Sequence, residues 1–221
     1  MELKELVNML VVGTGETLYM TFLSTFFAYL IGLPLGVILI LTRKDGLTPF
    51  APVYQVLNLI VNSFRSVPFL ILLIAVIPFT AWLVGQSYGP TATVVPLVIA
   101  SAPYVARVVE ASLMEVDQGV IEAAQSMGAS PLQIVWKVLL PEARSSLLSG
   151  ATISLGAILG YSAMAGIVGG GGLGDIAIRF GYYRYQTGIM LITVVLLCVL
   201  VQVMQAFGMR LARITDRRLK E

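Results

Sequence analysis

Apolar positions along the chain fall into continuous runs near residues 17–42, 64–84, 93–109, 146–168 and 188–208, separated by shorter polar intervals. A helix that crosses a bilayer needs about 20 mostly apolar residues, and each run comes close to that length. None shows the period-two alternation of a barrel strand, so the runs predict helices. About five spans is an odd number, which places the two termini on opposite sides of a membrane.

The most informative polar interval is residues 122–141, EAAQSMGASPLQIVWKVLLP, between the third and fourth runs. Its punctuation predicts two short helices. Asp117 suits the N-cap of a helix reaching about Met127, and Gly128 suits the left-handed position that ends it. Ser130-Pro131-Leu132-Gln133 then has the form of a capping box with Pro at the first helical position. The first of these helices would be about 15 Å long, and its Glu122 and Gln125 need water or protein around them.

Composition fixes the solvent. Of 221 residues, 57% are hydrophobic and 12% charged, with a mean hydropathy of +0.90. Soluble domains lie nearer 45–50% apolar and about 25% charged, and a core of this size could not hide the excess. The chain is expected to be an all-α integral membrane protein, one transmembrane domain over residues 1–221 with a cytoplasmic loop at about 115–141. A net charge of +2 gives no case for nucleic acid. Histidine is absent and Cys198 is the single cysteine, which excludes an intrachain disulfide and argues against a His/Cys metal site. The opening Met1-Glu2-Leu3-Lys4-Glu5 lacks a basic leader and cleavage site, so no removed signal segment is expected.

Lysine and arginine set the orientation. With the 115–141 loop inside, Arg43, Lys44, Arg107, Lys137, Arg144 and the tail residues Arg210, Arg213, Arg217, Arg218 and Lys220 are cytoplasmic. Only Lys4, Arg179 and Arg184 remain outside, which predicts an external N-terminus and a cytoplasmic C-terminus. The tail cluster reads as a topology anchor against anionic headgroups.

Several shorter features carry their own expectations. In the first run, Pro34 should kink the helix while Gly32 and Gly36 admit a close neighbour. Asn58, Asn62 and Arg65 share one helical face ahead of Ser66-Val67-Pro68, and Arg65 serves either as an interfacial anchor or in a translocation path. Arg107 and Glu110, an i, i+3 pair, are placed to interact as the third run ends. The fourth run is rich in small residues, with Gly156 and Gly160 spaced to let two helices approach closely, which would suit dimer packing if the chain pairs with a second copy. The run Gly169–Asp175 satisfies G-x-G-x-x-G but follows a membrane span rather than a strand, so it reads as a flexible external loop and not a dinucleotide site. No Gly-Lys pair exists for a Walker A loop, and no catalytic residue or metal site is indicated. Arg179-Phe180-Gly181-Tyr182-Tyr183-Arg184-Tyr185 fits an interfacial aromatic belt or a docking surface for an external partner.

Glu122-Ala123-Ala124, Gly128, Val138, Leu140 and Pro141 stand at the spacing EAA-x3-G-x9-[IV]-x-L-P, which resembles the EAA loop of permease subunits in bacterial ABC importers. Further stretches are similar to the methionine-importer branch: Phe64-Arg65-Ser66-Val67-Pro68-Phe69, Ala102-Pro103-Tyr104-Val105-Ala106-Arg107 and GYSAMAGIVGGGGLGD from Gly160, with core similarity over about residues 14–208. The resemblance implies an ABC type I importer permease fold in a bacterial plasma membrane. It implies a homodimer carried on two cytoplasmic ABC ATPase subunits and fed by an extracytoplasmic methionine-binding protein. ATP and Mg would be held by the ATPase, leaving no cofactor in this chain. Glu122, Ala123, Ala124, Gly128 and Pro141 would then form the ATPase coupling loop, and Tyr161, Ser162 and Met164 the pathway or gate, where a soft thioether at Met164 can close a narrow constriction or simply pack. Two other functions stay open: an ABC importer permease for another small amino acid, short peptide or osmolyte, and a stand-alone secondary transporter. The latter is disfavoured because no repeat and no mid-span carboxylate is evident.

Overall fold

The computed structural model describes residues 3–215, and every regular element among them is helical. The order is α1 (Leu3–Thr42), α2 (Ala51–Ser66), α3 (Phe69–Ala75), α4 (Ile77–Val84), α5 (Pro90–Met114), α6 (Gln118–Ser126), α7 (Pro131–Ile134), α8 (Leu140–Glu142), α9 (Arg144–Ala165), α10 (Gly172–Ile176) and α11 (Thr187–Thr215). Four of them, α1, α5, α9 with its 3-10 extension, and α11, are long and apolar enough to cross a membrane, and the broken pair α2 and α3 makes a fifth candidate.

Two predicted spans differ from the structure in an instructive way. The first helix begins at Leu3 rather than near residue 17. At 1.5 Å per residue its 40 residues extend about 60 Å, well beyond a hydrocarbon core of about 30 Å. Threonine hydroxyls in its first half are satisfied in place, with the Thr14 hydroxyl donating to Leu10 O at 2.7 Å. Thr17, Thr21 and Thr25 donate in the same way to the carbonyls of Gly13, Thr17 and Thr21. Hydroxyls bonded back to the preceding turn can lie in an apolar surround without an orphaned donor.

The second run is not one helix over residues 64–84. It is divided at Val67–Pro68, where Pro68 is extended (φ −57°, ψ 132°) and α2 and α3 meet at 101°. Pro68 has no N–H to continue the ladder, and its ring drives the preceding residue out of the helical region. Pro34, by contrast, lies inside an uninterrupted α1.

Cα proximity groups the chain into two compact units, Met1–Ala28 with Val67–Ser101 and Leu155–Gln205, and Tyr29–Ser66 with Ala102–Ser154 and Ala206–Glu221. In the first, Met20, Phe69, Leu73, Leu97 and Ala165 form a buried core, and Leu173, Ile176 and Ile189 a second. In the other, Leu39, Val61 and Ala106 pack together. Gly32 and Gly36 do admit a close neighbour there: a Cβ on Gly36 would lie 2.6 Å from Ala106 O and 2.7 Å from Val109 Cβ. Burial ranks the spans, with 61% of the apolar window of α5 inside against 11% for α11. The broad apolar faces left outside suit lipid. Arg210 and Arg213 lie in the last turns of α11, while Arg217, Arg218 and Lys220 lie outside the described residues.

Candidate coupling loop and pathway residues

Glu115, Val116 and Asp117 are all that separate α5 from α6. Asp117 is extended (φ −60°, ψ 131°), and its carboxylate accepts from Gly119 N–H at 2.8 Å. This satisfies one of the donors that every helix start leaves open. At the other end the N–H groups of Met127, Gly128 and Ala129 return to the carbonyls of Ala123, Gln125 and Ala124 at 3.1, 2.9 and 3.1 Å. Gly128 has φ +78°, and a Cβ built on it meets nothing within 4 Å. Glycine is needed here for its backbone conformation, not for room. The capping box also forms: Ser130 N–H donates to Gln133 Oε1 at 2.9 Å, and Gln133 N–H to the Ser130 hydroxyl at 3.4 Å. Both predicted helices and the bend between them are present.

The second helix, however, does not stand apart from the fourth span. From Ile134 it continues as a π-helical stretch, Val135–Leu139, and then as α8, with only Ala143 between α8 and α9. Pro141 gives the reason. It lacks an N–H and its ring presses on the carbonyl four residues back, and a widened turn carries the chain past that point. Leu140 N–H accordingly bonds to Val135 O, five residues back.

α6 has an inner and an outer face. Ala124 is buried and Ile121 half-buried, whereas Val120, Ala123 and Met127, at i, i+3 and i+7, point outward with Met127 81% exposed. Leu132 and Trp136 extend the apolar exposure beyond the bend. Large apolar side chains exposed on a segment too polar for lipid are the kind of surface that protein partners cover. Sequence reasoning named Glu122, Ala123 and Ala124 but passed over Val120, Met127, Leu132 and Trp136; the i, i+3, i+7 stripe was the available signal. Glu122 and Gln125 edge a cavity of about 510 Å3 that Arg43 and Asp45 also line.

The pathway candidates separate. Tyr161 is half-buried and stacks on Phe69, with ring centroids 4.6 Å apart and planes 15° from parallel. Ser162 is buried and its hydroxyl donates to Leu159 O at 2.7 Å, so it serves its own helix. Met164 is 49% exposed. The two glycines also differ: a Cβ on Gly156 would come 2.9 Å from Gln205 Nε2, whereas Gly160 faces open space.

Residues 28–221 match the family described as binding-protein-dependent transport system inner membrane component. The chain belongs to that family. It is 52% identical over 211 residues to the "Probable D-methionine transport system permease protein MetI" of Vibrio cholerae, covering 96% of this chain and 94% of that one. It is likewise 52% identical over 158 residues to the D-methionine transport system permease protein MetI of Escherichia coli K12, covering 72% and 73%. Among solved structures, the MetNI methionine ABC transporter in inward-facing form aligns with a TM-score of 0.96 at 48% identity, over 98% of this chain and 100% of that one. An amino acid ABC transporter at 24% identity and TM-score 0.73 shares the fold. The chain therefore has the type I importer permease fold and is an inner-membrane transport component rather than an enzyme.

In this permease fold the glycine run is not a flexible loop. Gly166–Val168 is a 3-10 turn, Gly172 opens α10, and Ala177–Tyr182 is a π-helical stretch. Gly172 N–H donates to Glu16 Oε2 at 2.7 Å and Leu173 N–H to the Thr17 hydroxyl at 2.9 Å. A Cβ on Gly174 would strike the carbonyl of Ala163, and one on Gly166 the backbone at Gly174 and Asp175. The glycines let backbone pack on backbone. Beyond them, Asp175 pairs with Arg179 at 2.6 Å; burial raises the Asp175 pKa above its ordinary value, with Arg179 opposing. Arg179 and Arg184 both lie over the Phe180 ring, and Tyr182, Tyr183 and Tyr185 are exposed.

The faces seen in the sequence at Asn58 and Arg107 also meet. Arg107 donates from Nη1 to Glu110 Oε2 at 2.5 Å, and from Nη2 to Asn62 Oδ1 at 3.0 Å and to Asn58 Oδ1. Arg65, the residue singled out earlier on the Asn58 face, is exposed.

Proposed function

We propose that this chain is the membrane-spanning permease subunit of an ATP-driven methionine importer. The observation that carries the reading is the match to the methionine ABC transporter, 48% identical over 98% of the chain at a TM-score of 0.96. Two copies form the pathway at a twofold interface, with the open face at Gly160 turned to the second copy. Two ABC ATPase subunits on the cytoplasmic side bind ATP and Mg, and an extracytoplasmic methionine-binding protein delivers substrate. The N-terminus is external and the C-terminus cytoplasmic, as the charge distribution supports.

Within this scheme Val120, Ala123 and Met127 face the ATPase, with small Ala123 letting the partner approach closely. Ala124 seats α6 on its own subunit, Glu122 sits at the edge of the docked face, and Gly128 sets the angle between α6 and α7. Pro141 places the widened turn through which the loop joins α9. Tyr161, stacked on Phe69, and the exposed Met164 are the pathway residues.

Labelled methionine uptake by the complete complex in proteoliposomes tests the substrate. ATP-dependent uptake that unlabelled methionine suppresses is expected. Uptake suppressed only by another amino acid, a short peptide or an osmolyte would move the reading within the family, and gradient-driven uptake by this chain alone would overturn it. For the coupling loop, Gly128→Val and Glu122→Lys are expected to insert normally and abolish uptake.

A further inference from the structure

We propose that Arg107 is a positioning residue for transport, a clamp that makes α2 follow the stem of the coupling loop. The inference rests on the ATP-coupled reading above and adds the route by which a pull on the loop reaches a second helix.

The geometry is specific. α5 ends at Met114, and the three residues Glu115–Asp117 form the whole tether to α6, so a displaced α6 must draw on the end of α5. Arg107 stands seven residues before that end, about 10 Å up the helix. Its guanidinium is divided between two helices. Nη1 is held by Glu110 on α5, and Nη2 reaches across to Asn58 and Asn62 on α2. Those two asparagines are themselves linked, Asn62 Nδ2 to Asn58 Oδ1 at 3.3 Å.

An i, i+3 ion pair within one helix would need no second helix and adds little when wet. Here the side chains of Arg107 and Glu110 are only 19% and 7% exposed, so the pair is largely removed from water. A planar guanidinium offers donors in a fixed fork, and in a low-dielectric surround each donor that is filled fixes the next. Glu110 aims the fork and the asparagines receive it. The join is polar and directional, and it adds to the apolar packing of Val61 on α2 with Ala106 on α5. α2 in turn leads through Pro68 into α3, whose Phe69 supports Tyr161. The clamp therefore ties the stem of the coupling loop to the helix that continues to the pathway residue.

The test compares uptake per ATP hydrolysed by the complete complex in proteoliposomes, for wild type, Arg107→Met, the double variant Asn58→Ala/Asn62→Ala, and the triple combination. The double variant keeps the Arg107–Glu110 pair and removes only the cross-helix arm. Asn62 is exposed and Asn58 half-buried, so it opens no core. Assembled variants are expected to hydrolyse ATP while methionine moved per ATP falls about tenfold, with the triple variant no worse than Arg107→Met, as one coupled unit requires. Should Arg107→Met fail to assemble, the asparagine pair decides alone. Wild-type uptake per ATP in the double variant, or losses that simply multiply in the triple, would overturn the clamp. A wild-type complex that hydrolyses ATP without importing methionine would overturn the functional reading, and this inference with it.

Discussion

Gly128, just past the end of α6, and Gly174, in the middle of α10, are both glycines that the fold requires, yet they answer opposite demands. Gly128 has φ +78° with empty space where a side chain would stand, so the backbone angle is what excludes other residues. Gly174 is not among the positive-φ positions, and a Cβ there would overlap the carbonyl of Ala163. One glycine bends an exposed surface loop. The other lets two backbones touch in a segment that is buried at Gly172, Leu173 and Gly174. A conformational glycine tolerates residues that enter the left-handed region, whereas a packing glycine tolerates no Cβ at any angle.

The largest effect should come from Gly174→Ala. The obstacle is backbone, with the Ala163 Cα 2.6 Å from the new Cβ, and cannot be relieved by turning a side chain. Overpacking of this kind costs about 1–3 kcal/mol, and a backbone neighbour puts it at the upper end. Thermal unfolding of the detergent-solubilised protein is expected to shift to markedly lower temperature, with less protein recovered from membranes. Unfolding at the wild-type temperature would mean that the segment is loose after all.

Next is the anchor of the same segment. Glu16→Ala removes the acceptor for Gly172 N–H, a charged hydrogen bond at 2.7 Å of a class worth about 1.5–3 kcal/mol. Glu16→Gln retains an acceptor and should recover most of that stability. Equal losses in the two variants would show that the negative charge, not the hydrogen bond, holds α10.

These contrasts explain what the sequence made legible. The candidate coupling loop could be read because its signals are local: Asp117 to Gly119, Ser130 to Gln133, and a glycine where the helix stops. The ends of α9 fell near their predicted places because an apolar run and a helix coincide there. The anchoring of the glycine run could not be read, since Glu16 and Gly172 lie 156 positions apart. The start of α2 was missed because residues 51–63 are too mixed to register as a span, though Pro52 sits in the first turn where helices accept it. Asn58 and Arg107 were each visible on a helical face, but 49 positions of chain hid their pairing.

Gly128 supplies the converse test. Gly128→Ala places an L-residue at φ +78°, at a cost of about 1–2 kcal/mol, without any clash. Asn enters the left-handed region more readily, so Gly128→Asn should lie between wild type and Gly128→Ala in methionine uptake, with all three equally abundant in the membrane. If Asn and Ala are equally poor, the partner surface is reading the absence of a side chain, and Gly128 would belong with Gly174 as a contact glycine.

The smallest effects should lie within the loop, at its two caps. Asp117→Ala removes a charged acceptor 2.8 Å from Gly119 N–H, and Ser130→Ala a hydroxyl that receives Gln133 N–H at 3.4 Å. Loss of a helix cap costs about 1 kcal/mol, and the longer, neutral bond places Ser130→Ala below that. Gln133 still accepts from Ser130 N–H at 2.9 Å whatever side chain stands at that position, so half of the capping box survives the change. Amide hydrogen exchange of the purified complex can resolve the two. Protection should fall across α6 in Asp117→Ala and only slightly across α7 in Ser130→Ala, because α7 also runs on through the π-helical turn toward α9. The reverse order would mean that α6 is held by the buried seat of Ala124 rather than by its cap, and that the angle set at Gly128 depends on packing from below.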